Sequence, residues 1–359
     1  MNAMTDPLLA ATAASGPDAP VVRPATDEDA PAWRQYVSAH PDASVYHRWE
    51  WRGVLQGALR HRTHYLVAQR GARIVGVLPL AEVKTMLFGH ALSSIPMAAD
   101  AGPLADDLQV LAALDAHAVA LADRLGVEHL EYRAARPVTG KRPVQDLYVL
   151  FRKAISADHD ANLNAIPRKQ RAMVRKGLKN ELQARHGDLD AFFALYADNV
   201  HRHGTPPFSR RYFAALRDAF GTDCDILVLH GPDGAPLSGV LSLFFRDEVF
   251  PIYAGDVPAA RALAANDLKY WELMRFAADR GCRWFNYGRS KKGTGQYDFK
   301  SHWGFEPTQL SYEYVLRARE TIPQNNPNNP KYQLLIRTWR RMPRWMVNAV
   351  GPALVRGLG

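Results

Sequence analysis

Two stretches of this chain, about 160 residues apart, read alike, and that repeat limits the fold more than any other feature. His64 to Gln69, a turn at Arg70-Gly71-Ala72 and Ile74 to Leu80 match Asp225 to His230, a turn at Gly231-Pro232-Asp233-Gly234 and Leu237 to Leu243. Each reads as strand, glycine turn, strand. Further on, Ala122-Asp123-Arg124 leading to Glu131-Tyr132-Arg133 echoes Ala278-Asp279-Arg280 leading to Asn286-Tyr287-Gly288-Arg289. Both are a helix end, a glycine stop and a short strand. Leu108, Leu111, Ala118, Leu121 and Leu125 give the first of those helices its periodicity, and Leu268, Trp271, Met274, Arg275 and Ala278 the second. A period this long is no solenoid unit, so the economical reading is two copies of one α/β domain. Two unrelated α/β domains with a common strand-turn-strand grammar are the alternative.

Composition agrees with two cores. The chain has 359 residues, 47% hydrophobic and 23% charged, which suits globular domains and excludes a disordered polymer. Cys224 and Cys282 are too few for a disulfide framework or a cysteine zinc site, so a reducing, cytoplasmic compartment is expected. No apolar run reaches the roughly 18–20 residues of a membrane span. Residues 1–20, rich in Ala, Pro and Asp and without a basic segment ahead of an apolar core, read as a disordered lead rather than a secretory signal. The expected division is 21–155 for the first domain, 156–320 for the second, and 321–359 for a basic amphipathic tail.

The second copy is the clearer. Its strand 225–230 leads to a hairpin, Val240 to Phe245 and Val249 to Ala254, then to a helix of about twenty residues and a strand from Arg283 to Tyr287. A polar glycine loop, Gly288 to Gln296, a short helix around Phe299 to Trp303 and a closing strand from Gln309 to Arg317 follow. Hairpin, helix, strand is the order of an N-acyltransferase fold of the GNAT type. The fold class is therefore α/β (α+β): tandem GNAT-like domains, each a mixed, mostly antiparallel sheet flanked by helices.

Particular segments sharpen this. Gly76-Val77-Leu78-Pro79-Leu80 with Glu82-Val83-Lys84 and Phe88-Gly89, Ile166-Pro167-Arg168-Lys169, Gly204-Thr205-Pro206-Pro207-Phe208-Ser209, Tyr287-Gly288-Arg289-Ser290 with Gly293-Thr294-Gly295, and Phe299-Lys300-Ser301-His302-Trp303-Gly304 resemble the FemAB-like proteins. The tail, with Asn328-Asn329-Pro330-Lys331-Tyr332, Trp339-Arg340-Arg341-Met342-Pro343 and Gly351-Pro352, is similar to the subgroup associated with exosortase (PEP-CTERM) loci and exopolysaccharide export. The resemblance spans nearly everything from Val22 on. It implies an acyltransferase that forms an amide by passing an acyl or aminoacyl group to an amine of a phosphate-bearing saccharide or peptidoglycan-type precursor. The donor would be aminoacyl-tRNA or acyl-CoA, used as a co-substrate and not as a resident cofactor. The sequence departs from the pattern where coenzyme A binders place bare glycine backbone ahead of the long helix, since that place reads Arg261-Ala262-Leu263-Ala264-Ala265-Asn266. The first copy, at Met97 to Pro103, lacks the Tyr-Gly-Gly of the family.

Four groups of residues could carry chemistry. Arg168, Lys169, Arg171, Arg175, Lys176, Lys179 and Arg185 lie within eighteen residues against Glu181 alone, a net +6. Arg168, Arg171, Arg175 and Lys179 fall at spacings of three, four and four, a stripe able to track phosphates or simply a solvated face. Arg289, Lys292 and Lys300 flank the glycine loop and are candidates for phosphate or carboxylate contacts. Tyr253-Ala254-Gly255-Asp256 ends the hairpin, with Asp256 a candidate proton acceptor or turn residue and Tyr253 a gatekeeper or core residue. His47, after Tyr46, either touches substrate or packs. His201-Arg202-His203 lacks the spacing and third ligand of a metal site, so no metal is expected. The tail carries another +6 and is expected either to lie on an anionic membrane as a peripheral contact or to dock on the protein. The two basic segments account for +12 of a net +9, leaving the rest of the chain at −3, so the charge is local. A non-catalytic protein that holds tRNA, nucleotide-sugar or membrane-linked polysaccharide machinery is the reading from another class.

Overall fold

The computed structural model describes residues 18–85, 89–323 and 330–357, with 330–335 as backbone only. Most of the expected lead, Phe88, Asn328 and Asn329, and the side chains of Lys331, Tyr332 and Leu335 lie outside the described residues.

The repeat is real in three dimensions. In the first copy Leu66–Arg70 and Arg73–Leu78 form a hairpin, flanked by Val21–Pro24 and Leu104–Ala105 in a four-stranded antiparallel sheet. A second sheet runs in the order Arg62–Thr63, Ala81–Thr85, Gly89–Ser93, His129–Ala134, Ser311–Leu316, Val144–Gln145. Helix Leu108–Leu125 connects Gly89–Ser93 to His129–Ala134, which pair in parallel. The helix buries Val110, Leu114, Ala118 and Leu121 on one stripe and is capped by the Asp107 carboxylate, which accepts from the Val110 amide. In the second copy seven strands run in the order Gln183–His186, Cys224–His230, Pro236–Phe245, Glu248–Asp256, Trp284–Lys291, Tyr148–Ala154, Pro307–Gln309. Helix Ala265–Asp279 joins Glu248–Asp256 to its parallel neighbour Trp284–Lys291.

The expected cut at 155/156 is crossed twice. Tyr148–Ala154 belongs by sequence to the first domain yet pairs with Trp284–Lys291, and Ser311–Leu316 belongs to the second yet pairs with His129–Ala134. Each parallel pair has one open edge, and the other half of the sequence supplies the strand that closes it. The cores merge as well. Helices Leu189–His203 and Arg210–Phe220 cover one face of the seven-stranded sheet, and their apolar cluster continues into Trp33, Trp49 and Trp51 of the first domain. Arg168–Lys179 and Ala265–Asp279 cover the other face.

The glycine loop is shorter than its composition suggests. Pairing with Tyr148 extends the strand to Lys291, Gly288 takes a left-handed φ of 67°, and the helix Gly295–His302 begins on a Thr294 cap. In the tail, helices Pro330–Arg341 and Arg344–Val355 pack on Leu189–His203. Gly204 and Gly351 leave room for this, since a Cβ there would stand 2.5 Å from Ile336 and from Pro207 respectively.

Candidate active site

The parallel strands of the second domain stay together only at Glu248–Trp284 and Val249–Phe285. Beyond that point they part, and each carries an extra residue against its other neighbour: Ile252 between the partners of Leu241 and Ser242, Tyr287 between those of Phe151 and Arg152. The facing edges of 250–256 and 286–291 therefore have no strand between them. Backbone donors and acceptors are left available to something that enters the wedge.

Two cations converge on the bulged strand. Lys300, in helix Gly295–His302, donates from Nζ to the carbonyls of Tyr287 at 2.7 Å, Arg289 at 3.0 Å and Gly288 at 3.4 Å. Burial, with a further push from Arg289, lowers its pKa to about 7. Arg289 lies beside the adjacent rings of Tyr148, 4.6 Å away, and Tyr312, 5.8 Å away, and donates to Tyr312 Oη at 3.4 Å. It has no carboxylate partner among the described residues, so its planar fork is free for a carboxylate or phosphate.

On the face that Arg289 shares with Leu150, opposite to the rings of Phe151 and Tyr287 over which Lys300 lies, a cleft of about 660 Å³ separates the two domains, with Tyr46, Asp100, Leu150, Arg152, Glu248 and Phe250 in its walls. Leu150 is the register partner of Arg289, which ties the cleft to that arginine. Burial raises the Tyr46 phenol, Arg289 opposes the rise and Asp100 adds to it. Asp100 accepts from the Ala135 amide at 3.2 Å, and burial lifts its carboxyl pKa from 3.8 to about 7. Glu248 is held by Arg152 at 2.7 Å and Asn286 at 2.9 Å.

The other expected site residues have different surroundings. Asp256 accepts from Asn199 at 2.7 Å and Arg202 at 3.1 Å, so its carboxylate is already engaged. Tyr253 meets Tyr212 Oη at 2.8 Å inside an aromatic cluster with Tyr196, Phe208 and Phe213, which is the core alternative for that residue. His47 is buried yet also lines the cleft: Nε2 lies 2.8 Å from the Gly102 carbonyl, Nδ1 accepts from the Ser44 amide, and burial lowers its pKa to about 4. Lys292 is exposed.

The basic helix Arg168–Lys179 turns Val174 and Gly177 inward, where a Cβ on Gly177 would stand 2.8 Å from Leu268. Outward, Arg168, Arg171, Arg175, Lys176 and Lys179 line an open groove of about 620 Å³, and none has an acidic partner among the described residues. Lys169, though exposed, is not among the groove residues. Asn180 donates to the Leu263 carbonyl and Gln170 to Asp267, fixing this helix against the start of Ala265–Asp279, the helix that follows the wedge. Ala264, at that start, has φ 53° and ψ 28°. Beside it Lys269 is 1% exposed, donates to Asn266 at 2.8 Å, and is lowered by burial to about 8.

Residues 162–301 match the family described as an acetyltransferase (GNAT) domain, a span that begins just before the basic helix and ends one residue after Lys300. The fold is a tandem GNAT fold. Solved structures with this GNAT pair include FemX, at 15% identity over 88% of this chain and 100% of that one with a TM-score of 0.66. A tandem GNAT protein from the clavulanic acid biosynthesis pathway shares 13% over 84% and 100%, TM-score 0.54. The C-terminal domain of a putative lysylphosphatidylglycerol synthetase from Agrobacterium fabrum shares 13% over 81% and 93%, TM-score 0.53. At these identities the likeness is one of fold. No curated protein matches the chain. Among the described residues no cluster of His, Cys, Asp or Glu could hold a metal ion, and no helix is long and apolar enough to cross a membrane.

Sequence reasoning selected Arg289 and Lys300 from the cations around a glycine loop. It passed over Asp100, Tyr148 and Tyr312, whose places depend on the exchanged strands and on the loop before helix Leu108–Leu125. Only the unusual Met97 to Pro103 stretch gave a signal there.

Proposed function

We propose that this GNAT pair is an N-acyl- or aminoacyltransferase that acts on an amine of a phosphate-bearing cell-envelope or exopolysaccharide precursor. The observation that carries the reading is the opened strand pair of the second domain, with Lys300 and Arg289 on its edge. The donor's carbonyl enters the wedge, where backbone amides and Lys300 face the oxygen that becomes an oxyanion. The acceptor comes through the cleft between the domains. Arg289 binds its anionic group, and Asp100 takes a proton from its ammonium. The amine nitrogen then attacks the carbonyl carbon. The C–N bond forms, the ester or thioester bond to the donor breaks, the leaving oxygen or sulfur takes a proton from Lys300, and the second proton shed by the nitrogen as it becomes an amide restores Lys300. No covalent enzyme intermediate is needed. The lysylphosphatidylglycerol synthetase of the same fold joins, by its name, an amino acid to a phosphate-bearing lipid, which supports an aminoacyl donor and a phosphate-bearing acceptor.

The basic helix at the mouth of the wedge is the surface for a polyanionic donor, which favours aminoacyl-tRNA over coenzyme A. Purified protein incubated with charged tRNA or acetyl-CoA and with nucleotide-linked or lipid-linked amino-sugar precursors should give an acceptor of increased mass. In Arg168→Glu/Arg175→Glu the donor KM should rise about tenfold or more with kcat little changed. Salt-sensitive tRNA binding without turnover on any pair would instead support the non-catalytic reading.

A further inference from the structure

The last helix is apolar on both sides, and only one side is used. Val347, Gly351 and Val355 are buried against the protein. A surface helix normally turns polar residues outward, yet Trp345, Ala349 and Ala353 occupy the opposite face with Met346 and Val350 beside them. Trp345 is 71% exposed and Val350 42%, two of the few large hydrophobic side chains on the surface. Immediately before this face the chain carries exposed Arg337, Arg340, Arg341 and Arg344. Arg340 donates to the His203 carbonyl and Arg344 pairs with Asp198, whereas Arg337 and Arg341, one turn apart, have no ionic partner among the described residues. The sequence holds no acid after Glu320 to balance them.

We infer that the outward face of Arg344–Val355 is a membrane-docking surface for an anionic lipid bilayer. Trp345, Met346 and Val350 enter the interface while Arg337 and Arg341 meet the phosphate headgroups. Charge decides the occupant: a neutral apolar partner would explain Trp345 but not the two unpaired arginines, Arg337 and Arg341, and anionic headgroups over acyl chains answer both. The inference stands apart from the catalytic reading, since a non-catalytic protein could dock identically.

The test is co-sedimentation of the full chain with vesicles of phosphatidylcholine alone or mixed in equal parts with phosphatidylglycerol. Binding is expected to the mixed vesicles only and to weaken with salt. Trp345→Ser/Val350→Ser should reduce it about tenfold or more, and Arg337→Gln/Arg341→Gln by roughly fivefold per arginine. Both variants alter exposed side chains, and an unchanged melting midpoint would show that they fold. Equal sedimentation of wild type and the Trp345/Val350 variant would overturn the inference. So would a dimer in solution that Trp345→Ser dissolves while no vesicle binds, which would make the face a protein contact.

Discussion

The two domains build the same parallel strand pair and then treat it in opposite ways. In the second, the pair opens after Val249–Phe285 and stays open. In the first, the chain itself fills the gap. Ser94 continues the pairing by donating to the Glu131 carbonyl at 3.0 Å, its hydroxyl accepts from the Arg133 amide at 2.8 Å, and Ala101 donates to the Arg133 carbonyl at 2.8 Å. The segment makes this turn through left-handed Ile95 (φ 49°) and Met97 (φ 76°), conformations that carry a steric cost for such side chains. The matching arginines diverge in the same sense. Arg133 and Arg289 both approach the ring of Tyr312, at 5.7 and 5.8 Å, but Arg133 is paired with buried Glu131, whereas Arg289 makes no ion pair among the described residues. One copy thus keeps an open wedge and the other closes it, with Asp100 of the filling segment in the wall of the cleft.

The largest expected contrast is catalytic. Lys300→Met and Arg289→Met should each lower transfer by about 10²- to 10³-fold, the scale for losing an oxyanion or charge-binding group, as measured in single-turnover assays. Arg133→Met should do the reverse. It leaves Glu131 buried without its cation, a loss of about 3–5 kcal/mol in denaturant unfolding, while turnover per folded molecule is kept. Transfer lost in Arg133→Met at unchanged stability would break the comparison.

Asp100 gives a smaller, pH-dependent effect. The folded protein keeps this carboxyl protonated up to about 7, whereas an unfolded chain releases the proton near 3.8. Between those values the folded state binds more protons, so this group's contribution to stability falls as pH rises. Asp100→Asn removes the fall: the variant's stability relative to wild type should grow from about pH 4 to about pH 7 and then level off. His47 has the opposite sign, because its folded pKa of about 4 lies below the ordinary 6.5, and its contribution rises with pH over that range. Its term is common to both proteins and cancels in the difference. If Asp100 takes the acceptor's proton, wild-type transfer climbs through about pH 7 and the Asn variant stays low throughout. A variant with a wild-type profile would remove Asp100 from the reaction.

How much of this the sequence carried depends on the range of the interaction. The repeat, the helix Leu108–Leu125 and the hairpins follow from periodicity and turn residues, which are local. The basic stripe was legible for the same reason, because three- and four-residue spacings put Arg168, Arg171 and Arg175 on one face. The exchange of Tyr148–Ala154 with Ser311–Leu316 was not, since strand partners more than a hundred residues apart leave no local trace, and Tyr148 and Tyr312 were missed with it. Asp256 and Tyr253 were picked from their place at a strand end. What occupies them, Arg202 and Asn199 in one case and Tyr212 in the other, comes from helices whose docking the sequence does not encode locally.

Ala264 offers the finest test of the comparison. In the first domain the equivalent stretch, Met97 to Pro103, belongs to the filling segment. In the second it is the short approach to helix Ala265–Asp279, and an alanine there sits at φ 53°. Left-handed backbone costs a residue with a Cβ about 1 kcal/mol relative to glycine, so Ala264→Gly should raise the melting midpoint by a few degrees despite the added freedom of the unfolded chain. The same change removes a methyl group, buried here, at the place where coenzyme A binders carry bare glycine backbone. Coenzyme A should therefore stabilise the wild type little in a thermal-shift assay and the glycine variant more. If micromolar coenzyme A shifts both equally, the methyl group is no barrier, and the basic helix beside it loses its standing as the donor's principal contact.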